Sequence, residues 1–172
     1  MTKIAITGKP GIGKTTFCLK VFNALKHECK VCGFITAEIR EKNKRIGFKI
    51  RNLETNEEDW LAKVGKGKIT VGKYVVFVEN IKKFLASLDC NGIVILDEVG
   101  PMELKSRDFV RKVSELINKN NPMLFSIHFK SKHPLLEKIR KSFEVIVLNE
   151  KNRNVLVNRV IERLKNAFEA RN

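Results

Sequence analysis

Aromatic residues other than phenylalanine are nearly missing: one tryptophan and one tyrosine occur in 172 residues. With Trp60 and Tyr74 solitary and the eleven phenylalanines falling on apolar faces, no basic stripe interleaved with aromatics exists to stack single-stranded bases. No apolar run approaches the length of a membrane span. The stretch Met1 to Thr7 is one short strand-like segment with a single lysine, so no signal peptide is expected. Four cysteines without an export signal predict free thiols in a reducing, cytoplasmic compartment. Cys29 and Cys32 form a C-x-x-C pair, but no second Cys or His pair stands at zinc spacing. They read as small apolar fillers, as do Cys18 and Cys90. Repeats and low-complexity segments are also lacking, which excludes fibrous, solenoid and disordered classes.

What is present suits one globular domain, 1–172, with 43% apolar and 31% charged residues. Basic residues outnumber acidic ones by 34 to 19, a net charge of +15. The excess is spread evenly along the chain, with no basic tail or patch. Such a charge confers salt-dependent affinity for any polyanion, so nucleic acid is a possible but less favoured partner than a solvated basic surface.

Short apolar runs alternate with segments of helical period, which predicts an α/β fold: a three-layer sandwich around a mainly parallel sheet. Five buried strands are expected at Lys3–Thr7, Val31–Thr36, Ile93–Leu96, Met123–Phe129 and Phe143–Leu148. Helical faces repeat at Phe17, Val21 and Leu25, at Ile81, Phe84, Leu85 and Leu88, and at Phe109, Val113, Leu116 and Ile117 behind a Ser106 cap. A short helix follows Pro134, and the last begins near Asn154. Residues 37–70 differ. Two alternating segments, Phe34–Ile39 and Arg45–Ile50, flank a polar turn and predict an added antiparallel hairpin, and Gly65, Gly67 and Gly72 mark a loop.

The segment Gly8-Lys9-Pro10-Gly11-Ile12-Gly13-Lys14-Thr15 fits G-x-x-x-x-G-K-[ST] between a predicted strand and a predicted helix. Glycines let successive backbone N–H groups curl around an anion, and the helix start aims its positive end at the same point. Lys14 is expected on the β- and γ-phosphates and the Thr15 hydroxyl on Mg²⁺, with Thr16 completing the binding segment.

The apolar strand Ile93-Val94-Ile95-Leu96 delivers Asp97 and Glu98 at its carboxyl end, where open α/β sheets bind ligands. The run from Ile93 through Val99 and Gly100 therefore counts as a second nucleotide-binding segment. Asp97 suits Mg²⁺, through its water shell, and Glu98 suits polarising a water for in-line attack on the γ-phosphorus. Arg40, Arg107 and Arg111 are candidates for neutralising transition-state charge. Arg40 is favoured, because it lies on the insertion that could close over the site. Ser126 and His128 share one face of their strand, as γ-phosphate sensors or as a structural pair. Asn118-Lys119-Asn120-Asn121 lacks the aspartate of a guanine-reading N-K-x-D, so nothing selects a base.

Several stretches together resemble the small nucleoside-triphosphatase family of thermophilic bacteria and archaea, relatives of the animal cancer-related nucleoside-triphosphatase. They are the phosphate loop through Thr16, Gly33-Phe34-Ile35-Thr36-Ala37-Glu38-Ile39-Arg40, Arg45-Ile46-Gly47-Phe48, Asp97-Glu98-Val99-Gly100-Pro101-Met102-Glu103-Leu104, His133-Pro134-Leu135 and Asn152-Arg153-Asn154. The resemblance implies a phosphate-loop core and slow, Mg²⁺-dependent hydrolysis of nucleoside triphosphates with broad base tolerance. It also implies Arg40 near the phosphates and Arg153 against the base. A nucleoside or nucleotide kinase, with Glu98 deprotonating an acceptor hydroxyl, is the alternative enzyme. A nucleotide-switched RNA- or DNA-binding module is the alternative from another class.

Overall fold

The computed structural model describes residues 1–171. Nine strands form one sheet in the order β5-β6-β4-β3-β2-β7-β8-β1-β9. Its parallel part consists of β2 (Val31–Glu41), β7 (Ile93–Val99), β8 (Met123–Ile127), β1 (Lys3–Thr7) and β9 (Glu144–Val147). The parallel core is thus the one expected, with β1 seated between β8 and β9. Alternation along β7 sends Ile93 and Ile95 to one apolar cluster and Val94 and Leu96 to the other. Burial on both faces explains why such strands read as unbroken apolar runs. One face packs on α1 (Lys14–Leu25) and α5 (Arg153–Glu169). The other packs on α2 (Val78–Phe84), α3 (Arg107–Leu116) and α4 (Pro134–Ser142). Ser106 caps α3, its hydroxyl accepting from the Phe109 N–H at 3.2 Å.

Three expectations need correction. First, residues 37–70 are more sheet than loop. β2 runs unbroken into the antiparallel strand β3 (Lys44–Asn52) through a two-residue turn at Lys42 and Asn43, both with positive φ. β4 (Glu58–Val64) and the small hairpin β5 (Thr70–Val71) and β6 (Tyr74–Val76) then extend the sheet by three strands. A register shift between Phe48 and Lys49 buries Leu61 and Ala62 side by side, which erases the alternation a sequence reading depends on. Second, β9 is an edge strand with exposed Glu144, Val145 and Val147, not a buried one. Third, the cysteines are not all free. Pairing of β2 with β7 brings Cys32 near the segment that leads into β7, where it forms a disulfide with Cys90, 58 residues along the chain. Cys18 and Cys29 are free and buried.

Candidate active site

The chain leaves β1 at Thr7 and turns through Gly8 to Gly13 into α1. Gly13 has φ of 102°, a left-handed conformation that favours glycine, and no side chain caps the helix. The first-turn N–H groups therefore point free into the crevice, where the helix dipole favours an anion. The Lys14 ammonium donates to the Gly8 carbonyl at 3.2 Å and so spans the loop. Gly8, Pro10, Gly11 and Gly13 through Thr16 line a cavity of about 680 Å³. Lys9 and Ile12 do not line it: Ile12 packs toward α1 and α5.

Asp97 and Glu98 leave β7 beside this loop. The Thr15 hydroxyl donates to Asp97 Oδ2 at 2.7 Å, and the Ser126 hydroxyl donates to Asp97 Oδ1 at 2.5 Å. Asp97 is 1% exposed. Burial pushes its carboxyl above the usual range, opposed by the two hydroxyls, the Thr36 backbone and Lys14. The donor set of Thr15 and Asp97 is all oxygen and hard, the chemistry Mg²⁺ takes. Among the described residues no group of three or more His, Cys, Asp or Glu could hold a metal alone. That is compatible with Mg²⁺, which takes one or two protein oxygens and completes its shell with phosphates and water.

Glu98 also lines the cavity. Burial, then repulsion from Asp97, raises its carboxyl to about 6, with Lys14 pulling the other way. Behind it Glu103, 3% exposed, accepts from the Gly100 N–H at 3.2 Å. Burial and the nearby Glu98 push the Glu103 carboxyl well above the ordinary range. A Cβ on Gly100 would overlap the Glu98 carboxyl group, so glycine leaves that side chain its room. Glu103 escaped the sequence reading as a functional group because nothing in the sequence marks its burial. Ile93 to Leu96 and Val99, counted above as nucleotide-binding, are fully buried and do not line the cavity; they position the acids.

The Ser126–His128 pair divides its work. Ser126 holds Asp97, whereas His128 faces the cavity. The Nδ1 of His128 accepts the N–H groups of Lys130 at 3.3 Å and Ser131 at 3.1 Å. Burial, with the charges of Lys14 and Arg140, lowers its pKa. The imidazole is therefore neutral, its proton on Nε2.

Two arginines sit elsewhere than expected. Arg153 donates through Nη1 to the Ile12 carbonyl at 3.0 Å, bracing the phosphate loop from α5, and is not among the cavity-lining residues. Arg40 is held by Glu38 and donates to the Asn43 carbonyl at 3.1 Å, away from the cavity. The insertion presents Arg45 instead, paired with Glu38 at 2.7 Å.

Comparison with known proteins identifies similar chains and folds. The family model described as NTPase matches residues 3–161. The nucleoside-triphosphatase THEP1 of Archaeoglobus fulgidus is 51% identical over 93% of this chain and 99% of its own length. That of Methanocaldococcus jannaschii is 44% identical over 94% and 96%. Among solved structures, the human cancer-related nucleoside triphosphatase aligns with a TM-score of 0.82 at 31% identity, covering 95% of this chain and 97% of that one. THEP1 from the hyperthermophile Aquifex aeolicus aligns at 0.84 and 29%, covering 95% and 99%.

Proposed function

The chain belongs to the NTPase family, a family of hydrolases, and from that premise we propose that it cleaves nucleoside 5′-triphosphates to the diphosphate and phosphate, with Mg²⁺ and with tolerance for the base. The observation that carries this reading is the Thr15–Asp97 contact at 2.7 Å, set between the open start of α1 and the Glu98 carboxylate.

The loop amides and Lys14 hold the β- and γ-phosphates. Thr15 and Asp97 would hold Mg²⁺, which would supply positive charge against the charge that develops on the phosphates. Ser126 keeps the Asp97 carboxylate turned toward Thr15. Glu98 takes a proton from the attacking water as its oxygen closes on the γ-phosphorus. The His128 Nε2–H donates to a γ-oxygen, a neutral donor set where negative charge gathers. Arg153 fixes the curvature of the loop from outside. Recognition through phosphates alone leaves the base free to vary.

The test is phosphate release from ATP, GTP, CTP and UTP, with Mg²⁺ and after chelation, by wild type and Glu98→Gln. All four nucleotides are expected to turn over, only with Mg²⁺. The variant keeps nucleotide binding and loses about 10²–10⁴-fold in rate, the usual contribution of a positioned base. Near-normal turnover by Glu98→Gln would overturn the assignment of the base.

A further inference from the structure

The cavity lining runs from the phosphate loop to the antiparallel extension. Beyond Glu98, on the side of β7 away from the phosphate loop, it continues into a chamber built by the antiparallel extension and the turn after β7. Its apolar walls are Phe48, Leu61, Val71 and Met102, and its mouth carries Glu38 and Arg45. A water nucleophile has no use for four apolar side chains, which instead suit a ring face. The order of the strands decides what a molecule here would meet. Lys14, Thr15 and Asp97 draw the β- and γ-phosphates toward β7, so the γ-phosphorus is the triphosphate atom nearest the chamber. This orientation rests on the hydrolase reading above. Glu98 stands between the two compartments.

We propose that this chamber is an acceptor site for a nucleoside, and that the protein transfers the γ-phosphoryl group of ATP to a nucleoside hydroxyl as well as to water. The Arg45 guanidinium lies over the Phe48 ring, 5.5 Å from its centroid, a cation–π pair beside which a heterocycle can pack. Arg45 supplies N–H donors and Glu38 carboxylate acceptors at that edge, the two functions a base presents. Glu38 pairs with both Arg40 and Arg45, which fixes the Arg45 guanidinium at the mouth. Glu98 stands at the inner end, within reach of both the γ-phosphorus and an acceptor hydroxyl.

In the transfer step the nucleoside hydroxyl oxygen forms a bond to the γ-phosphorus. The bond from that phosphorus to the β–γ bridging oxygen breaks, and its electron pair leaves with the diphosphate. The hydroxyl proton passes to the Glu98 carboxylate and then to solvent. No oxidant or further co-reactant is needed.

The experiment incubates the wild-type chain with ATP and Mg²⁺, alone and with millimolar adenosine, guanosine, cytidine, uridine or thymidine. ADP, phosphate and nucleoside monophosphate are measured in the same samples. The expected result is monophosphate from at least one nucleoside, in an amount equal to ADP minus phosphate. Val71→Trp, which fills the chamber, and Phe48→Ala, which removes the stacking face, should each lower the ratio of transfer to hydrolysis at least tenfold. If either variant fails to fold, the other carries the comparison. ADP equal to phosphate with every nucleoside overturns the proposal, as does transfer whose ratio neither variant lowers. Phosphate release without acceptor tests the hydrolase reading separately: its loss with transfer intact would overturn that reading and leave the acceptor site standing.

Discussion

The two parts of the sheet are built by different rules. In the parallel part, β2, β7, β8 and β1 are buried on both faces, and the site at their ends sets loop amides and a helix start beside a few fixed polar side chains. In the antiparallel extension the strands are half-exposed and laced with surface pairs, Arg45–Glu38, Lys49–Glu58 and Lys83–Asp59. There the cavity wall is made of side chains. On the proposed reading, a site that grips phosphates takes any triphosphate, because every triphosphate offers the same anion. A side-chain chamber discriminates by shape, and changing one side chain changes what fits.

Substitutions can break this division or sharpen it. The largest effect belongs to the parallel part: Lys14→Ala removes the fixed charge on the phosphates and should cut phosphate release by about 10²–10³-fold, the usual loss for one such donor. A fall of less than tenfold would move the phosphate site elsewhere. Ser126→Ala takes away one hydroxyl that holds Asp97, and Mg²⁺ affinity should drop about 10–100-fold, as measured by Mg²⁺ titration of nucleotide binding. Unchanged Mg²⁺ dependence would show that Thr15 and the Thr36 backbone orient that carboxylate without Ser126.

Glu103 marks the seam between the two parts and should report through stability. Burial raises its carboxyl, so the native state keeps a proton that the unfolded chain has already lost. The wild type therefore loses stability as pH rises through the unfolded value, about 4.3, and up to the folded one. Glu103→Gln keeps an acceptor for the Gly100 N–H and has no proton to lose. Its Tm should match wild type at pH 4 and exceed it at pH 8. Equal Tm values at pH 8 would mean that Glu103 carries charge in the native state. The smallest effect falls on the outer extension, where Arg40→Ala should change kcat by less than about twofold and stability by less than about 1 kcal/mol, as for an exposed pair. A larger fall in kcat would bring Arg40 onto the phosphates by a movement of the hairpin.

The same division explains what could be read from the sequence. The parallel strands announce themselves because burial on both faces demands unbroken apolar runs, and the phosphate loop because its glycines and Lys14 are fixed by an anion's geometry. The helix faces and the Ser106 cap follow from period alone. β4 was invisible for a physical reason: the register shift opposite Phe48 puts Leu61 and Ala62 inward together, while Gly65, Gly67 and Gly72 around it resemble a loop. The Cys32–Cys90 bond depends on strand order, which spacing does not reveal. The hydrogen bond from Arg153 to the Ile12 carbonyl depends on how α5 docks, and no local pattern encodes that. Glu103 lies in a recognisable motif, yet only three-dimensional burial gives it a chemical role.

The position of β1 between β8 and β9 has a consequence for synthesis. Lys3 pairs with Met123 and Ile4 with Glu144, so the first strand to be made finds its partners only among the last third of the chain. At about 5–20 residues per second, some 120 residues of elongation last about 6–24 s. Throughout that interval Ile4, Ala5 and Ile6 have no sheet to enter, and the loop that follows them has no fixed start. Nucleotide cannot help the nascent chain to fold, because the cradle takes shape only after the ribosome has passed β9.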